Sequence, residues 1–309
     1  CYPAGRTGCI TPRPGGPDVA TDRPEAPRLT WVILTMGDRP DELARAVESL
    51  GPGADVVVVL NGAEAGGEKV RIPNGVRCVV LDENEGVPGG RNAGAEAAGG
   101  EILGFLDDDA AVLTPDATGL ILDRFDRDPD LAVLAFRLVD DQERTARRHV
   151  PRAGRGDPDR SGPVGYFLGG ACAIRRSDFM AAGCYDADLF YGHEELDLAW
   201  RLLDRGRGIR YAAGIKVFHP PSEISRHSHG WFLTGRNRVM ISRRNLPQPV
   251  ALIHVVVWLA LGLWRAPGSA CRGPYLNGWR EGWRVAVDRR PIGWGTVWRL
   301  TRLGRPPVI

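Results

Sequence analysis

The sequence lacks most of the features that assign a chain to a class at first sight. Its six cysteines, Cys1, Cys9, Cys78, Cys172, Cys184 and Cys271, include no C-x-x-C pair and no metal-like spacing. A disulfide framework or zinc module is therefore excluded, and reduced, mostly buried thiols are expected. A formal net charge of +2 is too small for a nucleic-acid footprint, so no nucleic-acid partner is expected. Long apolar runs are also missing. The longest, Val250–Trp264, has fifteen residues interrupted by His254, whereas a spanning helix needs about 20. No basic–apolar–small segment opens the chain, so secretion is not expected. Both the G-x-G-x-x-G dinucleotide fingerprint and the G-x-x-x-x-G-K-[ST] phosphate loop are absent. No internal repeat is found.

What is present is an ordinary globular composition, 43% hydrophobic and 25% charged over 309 residues, enough for a full core. Residues 1–27 are rich in Pro, Gly, Thr, Arg and Asp and are expected to be a disordered leader, because they cannot bury enough surface to offset ordering. Short β-rich apolar runs then alternate with helical patterns. Strands are predicted at Leu29–Thr35, Asp55–Asn61, Val76–Leu81, Ile102–Leu106 and Leu131–Leu138. Helices are predicted from Pro40, over Ala93–Ala98, and from a Thr114–Pro115 cap to about Arg127. Such alternation predicts a mostly parallel α/β sheet covered on both faces, with ligands beyond the carboxyl ends of its strands.

The chemistry sits at those ends. Ile102–Leu106 runs into Asp107, Asp108 and Asp109, whose mutual repulsion is relieved by a hard divalent cation, Mg²⁺ or Mn²⁺, shared with substrate phosphates. Upstream, the segment from Asn84 through Gly86, Gly89, Gly90 and Arg91 to Gly94 offers backbone N–H groups and a guanidinium to a phosphate. Downstream, Gly169 and Gly170 end a predicted strand. Glu194 and Glu195 stand at the start of a helical pattern, where the helix dipole favours their charged, proton-accepting form. His219 closes a later strand.

Taken in order, N-x-G-x-x-G-G-R-N-x-G, F-L-D-D-D, G-G-A followed by Arg175–Arg176, H-E-E-L-D-L-A-W-R and V-F-H resemble family 2 glycosyltransferases of the GT-A fold. The likeness runs from about Leu29 to Asn245 and is closest to an actinobacterial, rhamnosyltransferase-like branch. It implies inverting transfer of a sugar from a nucleotide-diphosphate donor. Asp109 and His219 would be the metal ligands, with Asp107 and Asp108 toward ribose and metal. Thr35, Asn61, Asn84, Gly86 and Arg91 would lie on the donor side, and Gly169, Gly170 and Trp200 on the acceptor side. Glu195, or Glu194, would be the catalytic base; the family usually has Glu-Asp there. It often has an acid late in the second strand, where this chain has Leu60-Asn61-Gly62.

The resemblance divides the chain into a leader (1–27), a catalytic domain (28–246) and a tail (247–309). Beyond Ala251 stand nine arginines against Glu281 and Asp288, and six of the nine tryptophans follow Val250. Leu276, Trp279, Trp283 and Val287 share one predicted helical face, and Trp294, Val297 and Trp298 repeat the pattern. Such helices suit a membrane surface, although packing on the catalytic domain would use the same faces. The expectation is a peripheral enzyme at the cytoplasmic face of the membrane, acting on a lipid-linked glycan acceptor in cell-surface glycan or glycolipid synthesis. Two other readings use the same sheet: a nucleotidylyltransferase, for which Thr35–Pro40 is a poor glycine-rich loop, and a non-catalytic sugar-nucleotide-binding module.

Overall fold

The computed structural model describes residues 27–62, 72–73, 75–152, 156–220 and 229–308. The expected leader lies outside these residues except for its last position. The chain runs β1 (Leu29–Thr35), α1 (Pro40–Glu48), β2 (Asp55–Asn61), β3 (Arg77–Leu81), α2 (Gly86–Ala97), β4 (Ile102–Asp107), β5 (Ala111–Val112), α3 (Ala117–Arg127) and β6 (Leu131–Val139). It continues through β7 (Gly162–Pro163), β8 (Ala171–Arg175), α4 (Arg176–Ala181), α5 (Glu194–Asp204), β9 (Gly208–Phe218), α6 (Gly230–Asn245), α7 (Gln248–Arg265), α8 (Ser269–Arg284) and α9 (Trp294–Arg302).

One sheet in the order β3-β2-β1-β4-β8-β6-β9-β5 carries the molecule, with β7 paired to β9. β3, β2, β1 and β4 are parallel. Their side chains alternate between two cores: Val32, Val57 and Phe105 face one, and Trp31, Ile33 and Val58 the other. The prediction of a mostly parallel sheet needs amendment at its centre, where β8 runs antiparallel to both β4 and β6. Gly169 and Gly170 lead into β8 rather than end a strand. That reversal brings the loop before β8 beside the carboxyl end of β4.

Three helix assignments also change. α3 is capped by Asp116, whose carboxylate accepts from Gly119 N–H. Thr114 instead ties β5 to β9 by accepting from Lys216 N–H at 2.7 Å. α2 starts at Gly86, so the glycines lie within the helix rather than before it. A Cβ on Gly90 would strike Leu34, and one on Gly94 would strike Val32 and Val59. These glycines bring α2 close against β1 and β2. α8 ends at Arg284, which leaves Val287 outside the helix and off the expected helical face.

The tail helices pack onto the rest of the chain. Gly278 and Gly282 on α8 lie against the backbone of Phe232 and Arg236 on α6, an approach that only glycine permits. His254 on α7 is buried edge-on against Trp200, with 5.8 Å between ring centroids. The four described cysteines are unpaired. Burial was expected of most of them, but only Cys172 is buried, and Cys78 is exposed.

Candidate active site

The carboxyl end of β4 turns sharply after Asp107, with Ala110 N–H donating to Asp107 O at 3.1 Å. In this turn Asp108 is directed apart from Asp107 and Asp109. Asp107 and Asp109 converge on His219, whose Nε2 is 3.6 Å from Asp107 Oδ2 and 3.6 Å from Asp109 Oδ1. One ligand atom from each residue lies within 4.8 Å of the others. Ligands held at about 2.1 Å from one small divalent ion can be at most about 4.2 Å apart, so both His219 distances suit such an ion. The imidazole is also oriented for it. Nδ1 sits 2.7 Å from Pro220 O, an arrangement that turns Nε2 toward the aspartates: protonated, it supports the Asp107 charge, and deprotonated it would offer its lone pair to an ion.

Asp108 does not join this cluster. It is buried, accepts from Thr35 Oγ1 at 2.7 Å and pairs with Arg39 at 2.8 Å. Burial, opposed by Thr35 and Arg39, pushes its carboxyl up to about 6. Thr35, itself buried, spends its hydroxyl on Asp108 and on Gly37 N–H. Both residues therefore hold the turn from inside and do not present these groups to a donor. Arg39 was not singled out in the sequence, yet it grips Asp108 and Asp109 together. A lone arginine before a helix-starting proline gives no sign of that role.

Asn61 and Asn84 likewise act within the protein. Asn61 Nδ2 donates to Asn84 Oδ1 (3.0 Å) and Gly86 O (3.1 Å), and its Oδ1 accepts from Glu85 N–H (2.9 Å). Asn84 Oδ1 also accepts from Gly86 N–H at 2.9 Å. This network fixes the left-handed Gly86 (φ +72°), where a Cβ would collide with the backbone of Phe190. Asn61, in the place where the family often has an acid, sets the entry to α2.

Arg91 was expected to face the diphosphate. It is buried, and its guanidinium bridges the two acidic groups of the site. It donates to Asp107 Oδ1 at 2.9 Å and lies 3.5 Å from Glu194 and 3.7 Å from Glu195. Burial works against the Asp107 charge, but His219 and Arg91 together hold its carboxyl down to about 2.

The two glutamates open α5 as expected, but the helix dipole does not set their ionisation. Burial comes first and their mutual repulsion second in pushing Glu194 up to about 8, against the pull of Arg91. Burial also raises Glu195, opposed by Arg91 and by N–H groups that include Gly169. Their surroundings differ. Glu194 is 3% exposed, and its Oε2 has no partner among the described residues. The Glu195 side chain is 15% exposed, and its Oε1 accepts from Gly169 N–H at 3.1 Å.

Gly169 and Gly170 stand beside the carboxylates because nothing larger fits. A Cβ at Gly169 would fall on Arg91 and Glu195, and one at Gly170 on the Asp107 carboxylate. Trp200 is misplaced by the acceptor-side expectation. At 1% exposure it is a core residue on the inner face of α5 and cannot reach an acceptor.

Residues 31–183 match the sequence model of glycosyl transferase family 2. The chain carries a family 2 glycosyltransferase domain. It is 29% identical over 207 residues to the pre-mycofactocin glycosyltransferase of Mycobacterium tuberculosis, a match covering 62% of this chain and 43% of that protein. It is 27% identical over 158 residues to the glucosyl-dolichyl phosphate glucuronosyltransferase of Haloferax volcanii, covering 47% and 49%. The chain thus spans about half the length of these relatives or less. Its fold is similar to that of GalNAc-T7, solved with UDP, GalNAc and Mn²⁺, with a TM-score of 0.60 at 17% identity over 86% of this chain and 56% of the other. The architecture is GT-A, with a C-terminal helical extension.

Proposed function

We propose that the chain transfers a sugar from a nucleotide-diphosphate donor to an acceptor hydroxyl with inversion. The observation that carries this reading is the Asp107–Asp109–His219 cluster, joined by Arg91 to a buried pair of glutamates. Asp107, Asp109 and His219 would hold a divalent ion. When bound, the ion supplies positive charge against that accumulating on the departing diphosphate. Glu195 accepts the proton of the attacking hydroxyl as the new C1–O bond forms and the C1–O bond to the diphosphate breaks on the opposite face. Arg91 keeps Asp107 and the glutamates at a fixed separation, and Gly169 N–H orients Glu195. GalNAc-T7, with UDP and Mn²⁺ in its structure, gives a precedent for this pairing on the same fold.

The test is titration calorimetry with UDP, dTDP and GDP, then with their sugars, dTDP-rhamnose included, with Mn²⁺, Mg²⁺ or EDTA. One nucleotide should bind at least tenfold more tightly with metal, and its sugar should turn over. A nucleotidylyltransferase would instead release pyrophosphate from a nucleoside triphosphate. A binding module would bind the donor and leave it intact.

The same reading places the enzyme at the cytoplasmic face of a membrane, with a lipid-linked acceptor for glycan or glycolipid synthesis. α7 is longer than its apolar run, at 18 residues, or about 27 Å. By length and composition alone it could cross a membrane. One side, with Ala251, His254 and Val255, is buried on the protein. The other bears Leu252, Ile253, Val256 and Trp264 to the outside, with Arg265 at its end. A helix with one face committed to protein and one apolar face free suits burial at the lipid interface, where nearby arginines meet anionic headgroups. The protein should co-sediment with phosphatidylglycerol vesicles, and the combined Leu252→Ser, Val256→Ser, Trp264→Ser variant should lose at least tenfold in partitioning. Wild type that ignores such vesicles would overturn the membrane reading and leave the transfer reading standing.

A further inference from the structure

Beside the glutamate pair lies a group of arginines that the transfer chemistry does not use. Arg238 on α6 places its guanidinium 3.5 Å over the ring of Trp258 on α7, and Arg265, two turns on, lies 5.3 Å from the same ring. Arg305 stands 4.8 Å over Tyr166. None of the three pairs with a carboxylate among the described residues, and Arg238 Nε is buried without a hydrogen-bond partner there. Trp258 Nε1 and His193 Nδ1 are also buried without one. Burial first, then the like charges of Arg305 and Arg265, pulls the Arg238 pKa down to about 9.

An aromatic face returns only about 0.5–2 kcal/mol to a cation, whereas a half-buried guanidinium whose Nε is sealed from water without a partner is costly. Guanidinium forks supply the charge and the paired donors that a phosphate dianion satisfies. Their position relative to the chemistry is equally specific. Tyr166 is three residues before Gly169, which donates to Glu195. Asn237, next to Arg238, holds the carbonyls of Leu189, Tyr191 and Gly192 just before the glutamates. On the other side, Trp258 and Arg265 belong to the helix whose outer face is apolar.

We propose that Arg238, Arg265 and Arg305, with Trp258 and Tyr166, form an anion subsite for the phosphate of a lipid-linked acceptor, holding its sugar hydroxyl toward Glu195. The proposal rests on the transfer reading for its orientation but not for its binding chemistry. A phosphate joining a glycan to a lipid would sit between the glutamates and the apolar face of α7.

The test measures binding without donor or metal, using geranyl phosphate, inorganic phosphate and geraniol as probes for wild type, Arg238→Gln and Arg265→Gln. Geranyl phosphate should bind at least tenfold more tightly than either fragment. It should weaken at least tenfold in Arg265→Gln and further in Arg238→Gln, with thermal midpoints no lower than that of wild type. Arg265 is exposed at a helix end, so its variant carries the test if Arg238→Gln fails to fold. Equal affinity for inorganic phosphate overturns the lipid assignment, and unchanged affinity in both variants overturns the role of the arginines. Wild type that binds nucleotide with metal but not geranyl phosphate overturns this subsite alone. The reverse pattern overturns the donor reading and leaves the subsite in place.

Discussion

Asp109→Ala is expected to abolish transfer, with activity falling below about one-thousandth of wild type, a loss of about 4 kcal/mol in transition-state stabilisation. Metal-dependent tightening of nucleotide binding disappears with it. The fold survives, because Asp108 keeps its bonds to Thr35 and Arg39 and the β4 turn retains its backbone bonds. Calorimetry with Mn²⁺ alone separates this from general damage: the variant loses metal affinity while its thermal midpoint stays near that of the untreated wild type. Asp107→Asn should act similarly on metal, but it also leaves Arg91 without its nearest carboxylate and so disturbs the glutamates. Asp108→Asn is the contrasting case. Its carboxylate faces the protein interior, so that variant should lose thermal stability before it loses metal. Full activity of Asp109→Ala, or of wild type in excess EDTA, would refute the metal assignment.

That contrast marks where the sequence is readable. Three aspartates after an apolar strand announce a polyanionic turn, and a histidine closing a later strand is the matching partner. Which two of the three converge depends on the turn after Asp107, a tertiary property fixed by Thr35 and Arg39 from another strand end. Arg39 is illegible for the same reason: its partners are about seventy residues away. The glycines of α2 mislead in another way. Loop chemistry and close helix packing both demand glycine, and only the contacts with Leu34, Val32 and Val59 decide between them. Trp200 falls inside a family-like run, but helical periodicity puts it on the core side of α5. The β/α alternation was strong enough to give the sheet. It could not give the antiparallel β8, since pairing direction depends on the long connection that precedes it.

Glu195→Gln should cut kcat by about 10²–10⁴-fold, the usual worth of a general base, with donor affinity nearly unchanged. The choice of Glu195 over Glu194 comes from exposure and partners. Glu195 is the more open of the two and is oriented by Gly169 N–H, whereas Glu194 is sealed against Arg91. Burial raises both carboxyls, so the pair reaches neutral pH with a proton still held on the Glu194 side. Two pH dependences follow. Activity requires an ionised base, so kcat/KM rises with pH through the raised Glu195 pKa, and the Gln variant loses this limb. Stability runs the other way. In the unfolded chain Glu194 gives up its proton at the ordinary glutamate value of 4.5, but burial beside Glu195 makes the folded protein retain it to about 8. The native state binds the extra proton across that interval, so stability falls as pH rises through it. Glu194→Gln keeps the neutral form permanently and should flatten the slope of Tm between about pH 5 and 8, while retaining more kcat than Glu195→Gln. If instead Glu194→Gln costs the larger share of kcat and Glu195→Gln flattens the Tm slope, the two roles are exchanged. If both variants keep near-normal kcat, neither glutamate is the base. Asp197 is then not the substitute, because it is fully buried and bound to Arg201 and Asn245.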